Sequence, residues 1–77
     1  MKQIKLEMNY GDVDCYIAGR FLLNNSKYIC LIPFDTNNKW LFKLENETKD
    51  SFDILPLEDQ DEFNLAADKF MRLFGRY

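Results

Sequence analysis

Carboxylates are the densest group of chemically active side chains in this 77-residue chain. Glu58, Asp59, Asp61 and Glu62 stand within one short segment, and Asp53 comes shortly before it. Clustered carboxylate oxygens are ligands that calcium and magnesium accept. The spacing differs from a calcium-binding loop, in which oxygen ligands alternate around a central glycine and end on a glutamate. The start of a helix is the preferred interpretation, because carboxylates there accept hydrogen bonds from unpaired backbone amides.

Other reactive side chains are too few or too scattered to form a catalytic site. The chain has no histidine, and its three glycines stand far apart, which argues against a phosphate-binding loop. Cys15 follows Asp14, whose charge disfavours a thiolate, and Cys15 and Cys30 fall out of register across a hairpin closed by residues 24–26. We therefore predict two buried free thiols, no catalytic residue, no metal and no cofactor.

The charge is uneven along the chain, although the net charge is only −3. Residues 50–68 contain seven acidic side chains and no basic one. An acidic edge repels phosphate backbones and attracts basic protein surfaces. We therefore predict a non-enzymatic module that binds another protein. The predicted contact residues are Glu58, Asp59, Asp61, Glu62 and Leu65.

Twelve aromatic residues (seven Phe, four Tyr and one Trp) leave two alternatives open. Exposed rings on a small sheet can stack nucleic-acid bases. Most rings, however, fall on inward positions, which are Phe21, Tyr28, Trp40, Phe42, Phe63, Phe70 and Phe74. The rings predicted to be exposed are Tyr10, Tyr16, Phe34 and Tyr77, and the nearby cations are Arg20, Lys27, Lys39 and Lys43. One alternative is thus a nucleic-acid-associated β domain, although these few cations are too sparse for a binding groove. The other alternative is a structural homodimer.

The period of the apolar residues predicts an α+β fold. Apolar and polar residues alternate up to Pro56, which is typical of strands with one buried face. An antiparallel meander of four to five strands is predicted, at residues 2–8, 13–23, 27–33, 39–45 and, for the short fifth, 52–55, with turns at 9–12, 24–26 and 46–50. The third is apolar on both faces and should be central. Gly19 is expected to mark a bulge or bend.

A helix of residues 59–74 should pack on one face of this sheet. Phe63, Ala66, Ala67, Phe70 and Phe74 fall on one helical stripe. The residues at both ends of this segment are also typical of helix caps. Asp59 and Glu62 have the spacing of a capping box, and Gly75 stands where a left-handed cap is expected.

The length and composition predict a single domain over residues 1–77 in the cytoplasm. The chain is too short for a second core, and homodimerisation would add buried surface. Its first residues lack the apolar run of a signal peptide, and no apolar run is long enough to cross a membrane.

Three segments together resemble a known family. IAGRF at residues 17–21, YICLIP at 28–33 and LPLEDQDEF at 55–63 occur in the order and spacing of the YrzB-like small acidic bacterial proteins, the domain-of-unknown-function family twelve-ninety-two. The resemblance covers about residues 2–74 and implies a strand meander with a terminal helix in a bacterial cytoplasmic protein. It implies no activity or catalytic residue. Residues 35–39 are nearly neutral where family members often carry an acidic loop, so a role tied to such a loop is not expected.

Overall fold

The computed structural model of the chain describes residues 2–36 and 38–75. Five strands precede one helix, and each strand pairs antiparallel with its neighbour in the chain, in the order β1-β2-β3-β4-β5. The elements are β1 (Gln3–Met8), β2 (Gly11–Leu23), β3 (Ser26–Pro33), β4 (Trp40–Glu45), β5 (Asp53–Pro56) and α1 (Gln60–Phe74). The predicted α+β meander is confirmed, and every boundary lies within two residues of the prediction.

Tight turns set the register of the first two hairpins. Asn24 and Asn25 have φ angles of 51° and 67°, and Leu23 pairs with Ser26 across them. Two consecutive positive φ angles match the turn type that follows the natural twist of a hairpin. The first turn is shorter than predicted, because Gly11 already pairs with Met8 and belongs to β2.

A bulge bends β2 beside Gly19, as the sequence predicts. The pairing of β2 with β3 shifts register between Ile17 and Gly19, so Ala18 is the additional residue. The ring of Phe74 lies directly over Gly19, and a Cβ atom there would be 2.8 Å from ring atoms Cε2 and Cζ. The missing side chain of Gly19 therefore makes room for the end of the helix.

Two apolar clusters lie on opposite faces of the sheet. The inner cluster, on the inside of the curled sheet, has the buried residues Leu6, Cys15, Ile29, Leu31 and Leu44. The helix-side cluster has the buried residues Phe21, Tyr28, Cys30, Ala66 and Phe70. Successive residues of β3 enter the two clusters alternately, so the prediction of a central strand without a polar face is confirmed.

The helix buries a narrower stripe than its sequence predicts. Ala66 and Phe70 are buried, whereas Phe63 and Phe74 are each 38% exposed. The prediction that these two outer rings are core residues is therefore wrong. A single helix resting on β2 and β4 contacts them along a narrow line, so large rings beside that line stay partly accessible to solvent.

Both predicted helix ends are present, with different details. The carboxylate of Asp59 accepts a hydrogen bond from the backbone N–H of Asp61 at 3.3 Å, which confirms the cap. Gly75 follows the last helical residue with φ 77° and ψ −157°, and its N–H donates to the carbonyl of Met71. This ψ lies outside the left-handed helical region, so the cap needs a glycine but differs from the predicted type.

The contact between Gly19 and Phe74 can be tested by a double-mutant cycle. We expect Gly19→Ala to be destabilising in the native background and nearly neutral in a Phe74→Leu background, because the three atoms nearest to the added methyl group all belong to the ring of Phe74. The coupling energy should be about 1–2 kcal/mol. Urea unfolding of the four proteins measures it. An equal effect of Gly19→Ala in both backgrounds would contradict this placement of the ring.

Candidate protein-interaction surface

The two outermost strands, β1 and β5, face each other across an open cleft. They are the two ends of the strand order, so in the part of the chain that the structure describes neither has a second partner strand. The cleft has a volume of about 390 Å³. We call it the seam, and it is lined by Ile4, Lys5, Leu6, Glu7, Asp50, Ser51, Phe52, Asp53 and Ile54.

Alternation along β1 and β5 gives the seam an apolar floor and a charged rim. Ile4 and Leu6 of β1 and Ile54 of β5 belong to the inner cluster. Their neighbours point to the opposite face of the sheet, because successive side chains of a strand alternate. Lys5, Glu7 and Asp53 are therefore placed outside the cluster, and all three are exposed.

A hydrogen-bonded turn before β5 positions the seam residues Asp50, Ser51 and Phe52. The backbone N–H of Thr48 donates to the carbonyl of Ser51 at 2.7 Å, and the N–H of Ser51 donates to Thr48 Oγ1 at 3.1 Å. Asn46, at φ 52°, donates from its side chain to the carboxylate of Asp53 at 3.0 Å. This turn sends Phe52 into the inner cluster, where it forms part of the floor of the seam.

Arg20 connects this turn to β2. Its guanidinium forms an ion pair with Glu47 and lies 5.6 Å from the centroid of the Phe52 ring. Lys27 also contacts Glu47, at 3.0 Å. The three charged groups border a second cavity, of about 310 Å³. Arg20 and Lys27 already bind the carboxylate of Glu47. We therefore interpret the side chains around this cavity as structural contacts that hold the turn before β5, and not as a second binding site.

The charge of the seam is negative. Glu7, Asp50 and Asp53 oppose the single cation Lys5, which gives a formal net charge of −2 among the lining residues. Asp50 and Asp53 belong to the acidic segment of residues 50–68. Glu7 was missed, because it comes from the opposite end of the chain and only the curl of the sheet brings it to the same cleft.

The predicted contact residues divide into two groups. Glu58, Asp59, Asp61 and Leu65 are exposed, and Leu65 has 54% of its surface accessible. Asp61 and Leu65 are four residues apart on the helix, so they share one face. We call these four residues the helix-start surface. Glu62 is separate from them, since it is turned towards the sheet.

Glu62 links the helix to the sheet. The hydroxyl group of Tyr28 donates a hydrogen bond to Glu62 Oε2 at 2.6 Å, and Lys43 Nζ lies 3.8 Å from the same oxygen. The prediction that Glu62 completes a capping box is therefore wrong, because its side chain is drawn to these partners on β3 and β4. Burial, together with the hydrogen bond to Glu62 and its negative charge, raises the pKa of Tyr28 to about 12.

The two cysteines are free and buried, as predicted. Cys15 pairs with Pro33, and Cys30 pairs with Gly19, so the thiols lie at different levels of the β2–β3 ladder. They also belong to different clusters, one on each face of the sheet. Burial raises the pKa of Cys30 to about 11, and burial together with Asp14 raises the pKa of Cys15.

The aromatic residues that the sequence predicts to be exposed differ in their surroundings. Tyr10 is 76% exposed and Phe34 is also exposed, as predicted, whereas Tyr16 is half-buried and stacks on Phe34 at a centroid distance of 4.3 Å. Tyr77 lies outside the described residues. Trp40 and Phe42 are half-buried against the inner cluster.

Most of the cations considered for nucleic-acid binding form ion pairs with carboxylates of the same chain. Arg20 and Lys27 contact Glu47, and Lys43 contacts Glu62. These contacts reduce the positive charge available to a phosphate backbone.

Within residues 2–36 and 38–75, no three Cys, Asp or Glu side chains converge in an arrangement that could hold a metal ion. None of the helices described there is long and apolar enough to cross a membrane.

The fold and the seam define a small α+β protein whose antiparallel meander is left open between its first and last strands. The chain belongs to the DUF1292 family, described as proteins of unknown function, which matches residues 11–75. The family resemblance inferred from the sequence is confirmed at this level. The chain has no significant match among curated proteins or among solved structures.

The contact between Tyr28 and Glu62 predicts a specific pH dependence. Tyr28→Phe should lower the free energy of unfolding at neutral pH by about 1–2 kcal/mol, since it removes a hydrogen bond to a carboxylate. Because the pKa of Tyr28 is raised from 10 to about 12 in the folded state, this stabilisation is complete below pH 10 and is lost as the pH rises to about 12. Urea unfolding across this range should therefore show a steeper loss for the native chain than for Tyr28→Phe.

The control for this measurement is Tyr10→Phe, which alters an exposed tyrosine. It should retain the alkaline loss of the native chain. Identical pH profiles for the native chain and Tyr28→Phe would contradict the inferred contact.

Burial of both cysteines predicts slow thiol chemistry. In the folded chain neither Cys15 nor Cys30 should react with a disulfide reagent at neutral pH on the timescale of a free thiol, because both are inaccessible and their pKa values are raised. Two equivalents should react rapidly in urea. Single Cys→Ala variants assign each reaction, and one fast thiol without urea would contradict the burial of that residue.

Proposed function

We propose that this chain is a small non-enzymatic module of the bacterial cytoplasm that binds an extended segment of another protein at the seam. The observation that carries the proposal is the open seam, in which two unpaired strand edges flank apolar side chains. Such edges present backbone N–H and C=O groups that a partner strand can use.

The apolar floor allows the seam to bind a partner through side-chain contacts as well as through backbone hydrogen bonds. Ile4, Phe52 and Ile54 are only partly buried, although they pack against the inner cluster. A partner segment that covers them removes apolar surface from water, at about 25 cal/mol per Å². Backbone pairing would therefore determine the position and direction of the partner segment, and side-chain burial would supply most of the affinity.

The helix-start surface has a separate role in this proposal, which is to attract the partner. Glu58, Asp59 and Asp61 are exposed carboxylates, so together with the acidic rim of the seam they favour encounters with a basic surface. Exposed charges of this kind change association rates more than final affinities. Leu65 adds an exposed apolar contact one helical turn from Asp61.

The proposal is tested by capture of partners from a bacterial lysate, followed by binding of the purified partner. Glu58→Lys combined with Asp61→Lys should slow association about tenfold at low salt and less at high salt. Glu62 is left unchanged, because its reversal would also break the contact with Tyr28. Asp35→Lys, which reverses one exposed carboxylate in the loop between β3 and β4, is the control for a charge reversal elsewhere on the surface.

Three outcomes would contradict the proposal in different ways. An association rate insensitive to the Glu58 and Asp61 reversals would remove the steering role of the helix-start surface. A doubling of the 9.2 kDa mass in light scattering, with no captured partner, would favour the homodimer. A salt-sensitive shift of labelled single-stranded DNA or RNA would favour the nucleic-acid alternative.

A further inference from the structure

We propose that the seam accepts a single extended strand that runs antiparallel to both β1 and β5 and carries basic side chains on its outer face. This inference rests on the proposed function and specifies the partner of the same site. It follows from the number of strands, from the alternation of their side chains and from the charge of the rim.

The direction of the bound strand follows from the meander. Consecutive strands alternate in direction, so the first and the fifth of five run the same way. Direct pairing of β1 with β5 would therefore be parallel, unlike every other pair in this sheet. One additional strand, opposite in direction to both, would extend the antiparallel pattern all round and remove both open edges.

The length and the inner face of the bound strand follow from its neighbours. β1 has six residues and β5 has four, so a segment of comparable length can pair with both. Every second side chain of that segment would face the inner cluster beside Leu6 and Ile54. Those positions therefore require apolar residues.

The outer face of the bound strand would lie beside charged residues. Glu7 of β1 and Asp53 of β5 are exposed on that face, and Asp50 adds a third carboxylate at the rim. Lys5 is the only cation among the lining residues. Opposite charges on adjacent strands stabilise pairing and like charges oppose it, so outward positions favour lysine or arginine.

The occupant is a flexible segment of another protein and not a second folded copy of this chain. The edge strands of a second copy carry the same acidic residues, so its charge does not complement the seam. Each of those strands is also fixed on one side to its own neighbour. A strand held in that way cannot pair on both of its sides, as insertion between β1 and β5 requires.

The test uses the whole chain and a blocked peptide of alternating valine and lysine, followed by nuclear magnetic resonance of the backbone amides. We expect chemical shift changes at amides of both β1 and β5. A spin label at the N-terminus of the peptide should broaden Met8 and Leu55 most strongly, because an antiparallel strand begins where β1 and β5 end. A label at the C-terminus should instead broaden Gln3 and Asp53.

Charge is tested with matched peptides and variants. A peptide of alternating valine and glutamate should bind about tenfold more weakly, and Glu7→Lys with Asp50→Lys should weaken the lysine peptide by about the same factor. Asp35→Lys is again the control, since Asp35 is in the loop between β3 and β4 and is not one of the residues that line the seam. It should leave the affinity for the lysine peptide unchanged.

The outcomes separate this inference from the proposed function. Shifts confined to one edge strand, broadening in the reverse order, or equal binding of the acidic peptide would each overturn the inserted basic strand. A captured protein whose binding is insensitive to Glu7→Lys with Asp50→Lys would overturn it as well, and would leave the protein-binding function standing. Binding of the lysine peptide as inferred, with no protein partner captured, would count against the proposed function alone.

Discussion

The burial of β3 on both faces is the constraint on which the rest of this structure depends. Ile29 and Leu31 enter the inner cluster, whereas Tyr28 and Cys30 enter the helix-side cluster. A strand without a polar face must be covered on both sides. In a chain of this length, one cover is the single helix and the other is the sheet itself, which curls over its own inner face.

These two covers differ in how they are held and in how complete they are. The helix is held by Ala66 and Phe70 in the core, by the hydrogen bond from Tyr28 to Glu62, and by the close approach of Phe74 to Gly19. Within residues 2–36 and 38–75, no strand pairing joins β1 to β5, because these two strands are the ends of the strand order. The inner face is therefore less completely covered, and its partly accessible residues line the seam.

The elements could be predicted from sequence because each depends on a local pattern. The alternation in β1, the paired asparagines after β2 and the carboxylate of Asp59 act through neighbours a few residues away. The seam could not be predicted in this way, since it depends on how far five strands curl together. For the same reason Glu7 was missed, and Asp50 and Asp53 were assigned only to an acidic edge.

The errors on the helix have a related cause. A helical stripe shows which residues can face a sheet, but not how wide a contact the sheet offers, so Phe63 and Phe74 were placed too deep. The capping pattern likewise suggested that Glu62 accepts a hydrogen bond from the backbone at the start of the helix. In the folded chain Glu62 accepts one from the hydroxyl group of Tyr28, which is distant in sequence. Tertiary contacts decided each of these positions over local preference.

The order of the strands also bears on how the chain acquires its structure. Each strand pairs with the strand next to it in sequence, so the ladders join segments separated only by short turns. Low contact order of this kind favours rapid folding, since little loop-closure entropy is lost before each pairing forms. The hairpin of β2 and β3, closed by Asn24 and Asn25, contains the doubly covered strand, so we expect it to form early in folding and both layers to assemble on it.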